Sequence, residues 1–259
     1  MTGDGEDITL GRPRVHLRQT GSTNVRARAL ASAGAPHGTL VTASAQSAGR
    51  GRQGRRWMAP ANSSLLMSLI LRSPTPQLPL IAAVALCDVA DRSKIGRQAA
   101  IKWPNDIVLV RARTAASSDG APGDAGPRVP TFAKLAGILV EGRPQEDWAV
   151  LGIGLNVAVR LEELPVELRA GAATLGYSPE AIEPLLQRLL AALRRRLAEP
   201  TAATLDAWRS RDALYGREIA WGSGRGRAQG IDDMGHLIVA LAGGAHTTLD
   251  AGEIHLDVG

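Results

Sequence analysis

The chain has 259 residues, and its 30 Lys and Arg against 25 Asp and Glu give a net charge of +5. That balance suits an anionic ligand or partner, nucleic acid included. Cys87 is the only cysteine, which excludes internal disulfides and cysteine metal clusters. Hydrophobic residues reach 44% and aromatics only 3%, so the core must rest on Leu, Val, Ile and Ala. The polar start and the lack of any apolar run near about 18 residues point to a cytoplasmic chain with no membrane span. Of the basic residues only three are lysine, Lys94, Lys102 and Lys134. A lysine in such an arginine-rich background suggests a need for a compact ammonium.

Residues 1–13 read as a flexible tail. Residues 14–19 alternate with Val15 and Leu17 inward, a short strand. Ser22, Thr23 and Asn24 then offer caps for a helix through about residue 33. The same three side chains also form a polar cluster at a strand-to-helix turn, able to bond a polar ligand. Residues 39–45 form a strand.

Residues 46–57, Gln-Ser-Ala-Gly-Arg-Gly-Arg-Gln-Gly-Arg-Arg-Trp, follow it. Glycine loses backbone entropy on ordering, so this stretch resists regular structure, and its guanidinium forks suit phosphate or carboxylate oxygens. It reads as a mobile anion-binding loop.

Residues 64–71 are a buried strand and 78–94 an Ala/Leu-rich helix. Strands at 99–103 and 106–110 flank Pro104-Asn105. Residues 112–130 lack any period and read as a disordered insertion. Strands at 135–141 and 147–155 are joined by a Gly-Arg-Pro turn. Pro179 opens a helix with a stripe of Ile182, Leu186, Leu189 and Leu193. Its Arg194, Arg195 and Arg196 read as a solvated helix end or, less simply, a nucleic-acid patch. A helix at 201–211 precedes five short strands over 213–259, a small β module of barrel type.

Gly49-Arg50-Gly51-Arg52-Gln53-Gly54 matches the dinucleotide-binding glycine pattern only in letters. That site needs a following helix and an acid roughly 20 residues on. Here a strand follows, and no Asp or Glu occurs between Asp7 and Asp88. The five histidines are scattered, so a histidine metal site is not supported. A nonenzymatic nucleic-acid binder would need interleaved aromatics, and the loop has only Trp57.

Five stretches carry the chemistry. They are Ser22-Thr23-Asn24, the 46–57 loop, Lys102-Trp103-Pro104-Asn105-Asp106, Lys134-Leu135-Ala136-Gly137-Ile138-Leu139 and Gly152-Ile153-Gly154-Leu155-Asn156. In this order they closely resemble the biotin–protein ligases, and lipoate–protein ligases share that architecture.

The resemblance implies an α+β fold: a mixed-sheet catalytic domain of the class II synthetase and biotin–lipoate ligase type over 14–212, with an SH3-like β module at 213–259. It implies formation of biotinoyl-5′-AMP from biotin and ATP with Mg²⁺, then transfer of biotin to a lysine of a biotin carboxyl carrier domain. By resemblance, Lys134, Arg50, Arg52 and Asp106 are catalytic. Asp106 is left with two duties, indirect Mg²⁺ support or acceptance of a proton. Biotin is expected against Ser22, Thr23, Asn24, Gln46, Gly49, Arg50, Gly51, Arg52, Lys134, Gly137 and Gly154. The adenylate is expected against Arg52, Arg55, Trp57, Asn105, Lys134 and Asn156, and Mg²⁺ rides on the ATP phosphates rather than on a protein cluster. No winged helix-turn-helix fits before Ser22, so DNA binding and repression are not expected, and a homodimer is left open.

Overall fold

Seven strands of differing burial make the main sheet. The computed structural model describes residues 9–91, 98–110, 132–222, 224–250, 252 and 254–256. The expectations for residues 1–8, Lys94 and the 112–130 insertion lie outside these. The strands are β1 (Arg14–Leu17), β2 (Leu40–Ala43), β3 (Ser64–Arg72), β4 (Ala99–Lys102), β5 (Asp106–Val110), β6 (Phe132–Arg143) and β7 (Trp148–Asn156). Their order is β1-β2-β3-β7-β6-β5-β4. β1 and β2 are parallel, joined through helix α1 (Thr23–Ser32), and the other pairs are antiparallel, so the sheet is mixed.

Side chains alternate faces along a strand, and β7 shows what each face is for. Leu151, Ile153 and Leu155 point into the main core, which helices α2 (Leu78–Asp91) and α4 (Ile182–Ala198) cover, the one-turn α3 (Val166–Arg169) coming between them in the chain. Trp148 and Val150 point the other way, under Ala27 and Ala31 of α1. Gly152 and Gly154 continue that second face, Gly152 under Asn24 in the first turn of α1 and Gly154 beyond the helix. One face of the sheet is thus sealed, and the other is covered at one end and open at the other.

Helix α2 is apolar nearly all round, as a helix sandwiched between sheet and α4 must be. The arginines of α4 belong to this packing. Arg195 and Arg196 reach Asp88 of α2 at 2.6 and 2.9 Å, and Arg211 reaches it at 3.2 Å. Arg194 and the 47% exposed Arg195 fit the solvated helix end, although Arg195 also ties to α2; Arg196, 15% exposed, is instead held against α2, a correction to both readings at that residue. Residues 9–13 are likewise tied down: Gly11 N–H donates to Gly38 O at 2.8 Å and Leu40 N–H to Pro13 O at 2.9 Å. The β6–β7 turn falls at Pro144–Glu146 and Asp147, because Gly142 and Arg143 continue the ladder opposite Ala149 and Trp148.

After helix α5 (Thr201–Arg209), Ile101 of β4 pairs with Asp212 through two backbone hydrogen bonds, which covers the sheet's last edge. The chain then enters a second sheet. Its strands are β8 (Glu218–Trp221), β9 (Gly224–Ile231), β10 (Leu237–Ala240), β11 (His246–Leu249) and β12 (His255–Leu256). They run antiparallel in the order β11-β10-β9-β8-β12, a small sheet that fits an SH3-like module.

Burial pushes the Asp212 carboxyl up to about 6. Leu214 N–H donates to its Oδ1 at 2.8 Å, while Oδ2 is buried without a partner. A buried acid with a raised pKa favours the folded state only when protonated. Its penalty is therefore full above about pH 6 and vanishes below about pH 4. Asp212→Asn should raise unfolding free energy by roughly 2–3 kcal/mol at pH 7 and by nothing near pH 3.5, read by urea denaturation at each pH.

Candidate active site

The open end of the sheet carries a cavity of about 350 Å³. Every site residue expected from the sequence lines it except Gly49. Gly49 instead lets the loop fold back on itself. Trp57 N–H donates to Gly49 O at 3.0 Å, and a Cβ on Gly49 would stand 2.4 Å from Trp57 O. The loop is more structured than its glycines suggest: Arg50 bridges to Arg56, and between them the chain turns tightly with Gln53 at φ 52° and Gly54 at φ 75°.

The floor of the cavity is β6 and β7. Gly137 pairs with Gly154 across them, and the Trp57 indole lies on both. A Cβ on Gly154 would come within 2.5 Å of the indole, and one on Gly137 within 3.0 Å. Both glycines are there because the ring has no room for a side chain beneath it. The Trp57 Nε1–H is buried and has no acceptor.

Lys134 and Gly137 differ by an odd number of positions, so a regular strand would send them to opposite faces. The β5–β6 register slips between Ile107 and Val108, leaving Leu135 unmatched. That bulge re-aims Lys134 onto the face of Gly137, where its Cε lies 3.3 Å from the place a Gly137 Cβ would take. Its backbone is held as well, donating to Gly171 O at 2.7 Å and accepting from Ala173 N–H at 2.8 Å.

The Lys134 Nζ sits 2.6 Å from Asp106 Oδ1 and 5.7 Å from the centre of the Trp57 ring. Oδ1 is buried without an aligned donor, so the contact to Lys134 is that of an ion pair. Arg52 and Lys102 feel the Asp106 charge, and Arg50, Arg55 and Arg56 also line the cavity. Among the described lining residues six cations face two carboxylates, Asp106 and Glu167. Burial lowers the Lys102 pKa; Asp106 opposes this, while Lys134 and Arg55 add to it. Burial also lowers that of Arg52, again against Asp106. Such a surplus of cations, with Lys102, Arg52 and Lys134 half-buried, is an arrangement that an anion relieves.

Other lining groups are neutral and polar. Thr23 N–H donates to Gln46 Oε1 at 2.7 Å, while its hydroxyl, 3.1 Å from the same oxygen, gives its one proton to Ser68 Oγ. Ser68 Oγ lies 2.6 Å from Asn24 Oδ1 and 2.8 Å from Thr23 Oγ1. Its one proton goes to the amide oxygen, which can only accept. Asn24 Nδ2 then donates to Glu141 Oε2 at 2.9 Å. Ser22 stands at the N-cap of α1 but makes no capping bond with its side chain. The polar triplet is therefore spent on tertiary contacts more than on capping.

Two expected adenylate residues have structural partners. Asn105 Nδ2 donates to Ile138 O at 2.9 Å, clamping the bend before β5 onto β6. Asn156 donates to Ala173 O at 2.9 Å and accepts from Ser64 at 3.3 Å. Sequence reasoning does not reach several residues at the site, Arg56 and Glu167 of the lining among them. Lys102 was read as part of a motif without a role, though its position among so few lysines signalled it. Gly152 carries Asn24, whose Oδ1 would lie 2.0 Å from a Cβ there. Ser68 and Glu141 gave no local signal, because only the fold brings them beside Asn24. Gly252 and Ile254 of the second sheet also line the cavity.

Among the described residues no helix is long and apolar enough to cross a membrane. The model of the biotin/lipoate A/B protein ligase family matches residues 16–157, and that of the biotin protein ligase C-terminal domain matches residues 216–257. The bifunctional ligase/repressor BirA of Bacillus spizizenii is 32% identical over 249 residues, covering 89% of this chain and 70% of that protein. The biotin–[acetyl-CoA-carboxylase] ligase of Mycobacterium tuberculosis is 31% identical over 257 residues, covering 92% and 86%. The biotin protein ligase from Aquifex aeolicus in complex with biotin and ATP superposes with a TM-score of 0.73 at 23% identity, over 95% of this chain and 98% of that one, and so shares the fold. Matched over both of its sheets, the chain belongs to the biotin/lipoate A/B protein ligase family and carries the biotin protein ligase C-terminal domain after it.

Proposed function

We propose that the chain is a biotin–[acetyl-CoA-carboxylase] ligase. It joins biotin to ATP as biotinoyl-5′-AMP and passes the biotinoyl group to a lysine of a biotin carboxyl carrier domain. The observation that carries this reading is the make-up of one cavity, where the neutral hydrogen-bonding groups of Ser22, Thr23 and Gln46 share the lining with six cations, Lys134 and Lys102 grouped at Asp106. A bicyclic urea bearing a carboxylate tail fits such a lining, its ring on the neutral groups and its tail toward the cations. The relatives named above support the choice of biotin.

In the first step a biotin carboxylate oxygen bonds to the α-phosphorus of ATP and pyrophosphate leaves. In the second, the carrier amine bonds to the acyl carbon, AMP leaves and the amine loses a proton. Both steps collect negative charge at one acyl-phosphate centre. Fixed donors aimed there supply the main stabilisation. Lys134, set on its bulge and paired with Asp106, is the most rigidly placed of these. Arg50, Arg52 and Arg55 add guanidinium forks for the phosphate oxygens, and Trp57 packs beside the adenylate. Asp106 is the carboxylate nearest the centre and the natural acceptor for the carrier proton. Among the described residues no group of three or more His, Cys, Asp or Glu stands together. Mg²⁺ enters as part of the substrate, carried in on the ATP phosphates.

Incubating the protein with Mg-ATP, a carrier domain and either biotin or lipoate should add the mass of biotin alone to the carrier; attachment of lipoate instead would overturn the assignment. Lys134→Ala should slow adenylate formation by about 10²–10³-fold, followed by pyrophosphate release, with an unchanged circular dichroism spectrum. Arg50→Gly should let the adenylate escape, so that lysines on a bystander protein gain biotin in a mass spectrum; unchanged bystander labelling would remove the loop from the retention of the intermediate.

A further inference from the structure

Glu141 stands at the far end of the polar chain that begins at Gln46. Its Oε2 accepts from Asn24 Nδ2 at 2.9 Å. Its Oε1 faces two arginines at once, Arg28 of α1 and Arg50 of the loop, each 3.2 Å away. The Glu141 side chain is 17% exposed, while Arg28 is 35% and Arg50 46% exposed. Arg28 makes an aligned hydrogen bond to it, and Arg50 meets it as an ion pair. Gln46 and Arg50, the two parts of the loop assigned to ligand, are thus joined beneath the cavity through Thr23, Ser68, Asn24 and Glu141.

We infer that Glu141 is a positioning residue: it parks Arg50 beside the cavity and, through sharing with Arg28, releases it to an anionic ligand at little expense. Resting on the ligase reading of the cavity, this says how one loop arginine is shared between protein and ligand. A partly buried carboxylate left without a cation is strongly unfavourable. When Arg50 turns to a ligand, Arg28 and Asn24 stay on Glu141, so no bare charge is left behind. The parked state still competes with the engaged one. A ligand that needs Arg50 therefore binds with an affinity reduced by the fraction of molecules in which Arg50 is parked.

The two partners of Glu141 then have opposite effects. Removing its charge frees Arg50. Removing Arg28 leaves Arg50 as the sole cation on Glu141 and parks it harder. Pairs this exposed shift equilibria by about two- to fivefold.

The test uses the full chain and its Glu141→Gln and Arg28→Gln variants, with two readouts. Trypsin cleavage within residues 46–57 is followed by mass without ligand, and the apparent Kd for biotinoyl-AMP is measured by equilibrium titration. Glu141→Gln should speed ligand-free cleavage and tighten the adenylate, each about two- to fivefold. Arg28→Gln should slow cleavage and weaken the adenylate by a similar factor. Shifts of the same sign in both variants, or ligand-free cleavage unchanged in both, overturn the inference and make Glu141 a structural tie only. If no form binds biotinoyl-AMP, the ligase reading fails on its own, while the ligand-free cleavage still decides whether Glu141 parks the loop.

Discussion

Six cationic side chains crowd one cavity against two carboxylates, and their mutual repulsion is the constraint to which the fold answers. Like charges held together destabilise the folded chain until an anion joins them. The response is to anchor the backbones rather than the side-chain tips. Lys134 sits between β5 on one side and residues 171–173 on the other, the latter bonded to its own N–H and C=O. Lys102 ends β4 opposite Asp106, at a bend that Asn105 clamps to β6. The arginines that need to move, Arg50 and Arg52, are on the loop instead. Rigid charge and adjustable charge are thus assigned to different kinds of backbone.

Close approach is the second constraint. An indole stacked on a strand pair needs bare backbone beneath it, and Gly137 and Gly154 are adjacent partners in the ladder. Gly152 does the same for Asn24 two pairs further along. A row of glycines weakens a central strand. β7 tolerates it because Leu151, Ile153 and Leu155 on its other face lie in the main core. Function on one face is stabilised by burial on the other.

These features explain what was legible in the sequence. Short contiguous motifs, with Lys134 and Gly137 on one strand, were readable because their spacing is local, and the strands and helices fell within a few residues of their expected positions. Two kinds of information were not. The bulge at Leu135 leaves no distinctive residue, so the reason Lys134 and Gly137 share a face had to come from the register. The ties of Arg195, Arg196 and Arg211 to Asp88 join helices more than 100 positions apart in the chain, and a run of arginines looks the same whether solvated or paired. Ser68 and Glu141 were silent for that same reason.

The second sheet enters this balance through Trp103. The Trp103 Nε1–H donates to Gly235 O, in the turn between β9 and β10, at 3.0 Å. Gly235 in turn lies against Leu80 of α2, where a Cβ would come within 3.0 Å of its Cδ1. Trp103 immediately precedes the bend that presents Asn105 and Asp106, and its ring is 3% exposed. The small sheet therefore grips the residue beside the one carboxylate that pairs with Lys134, and its Gly252 and Ile254 close part of the cavity wall. A module added only for docking would have no reason to reach so far in. Its contacts make it a wall and a brace for the charged part of the site, which ties the position of Asp106 to the packing of a sheet built from the last strands of the chain.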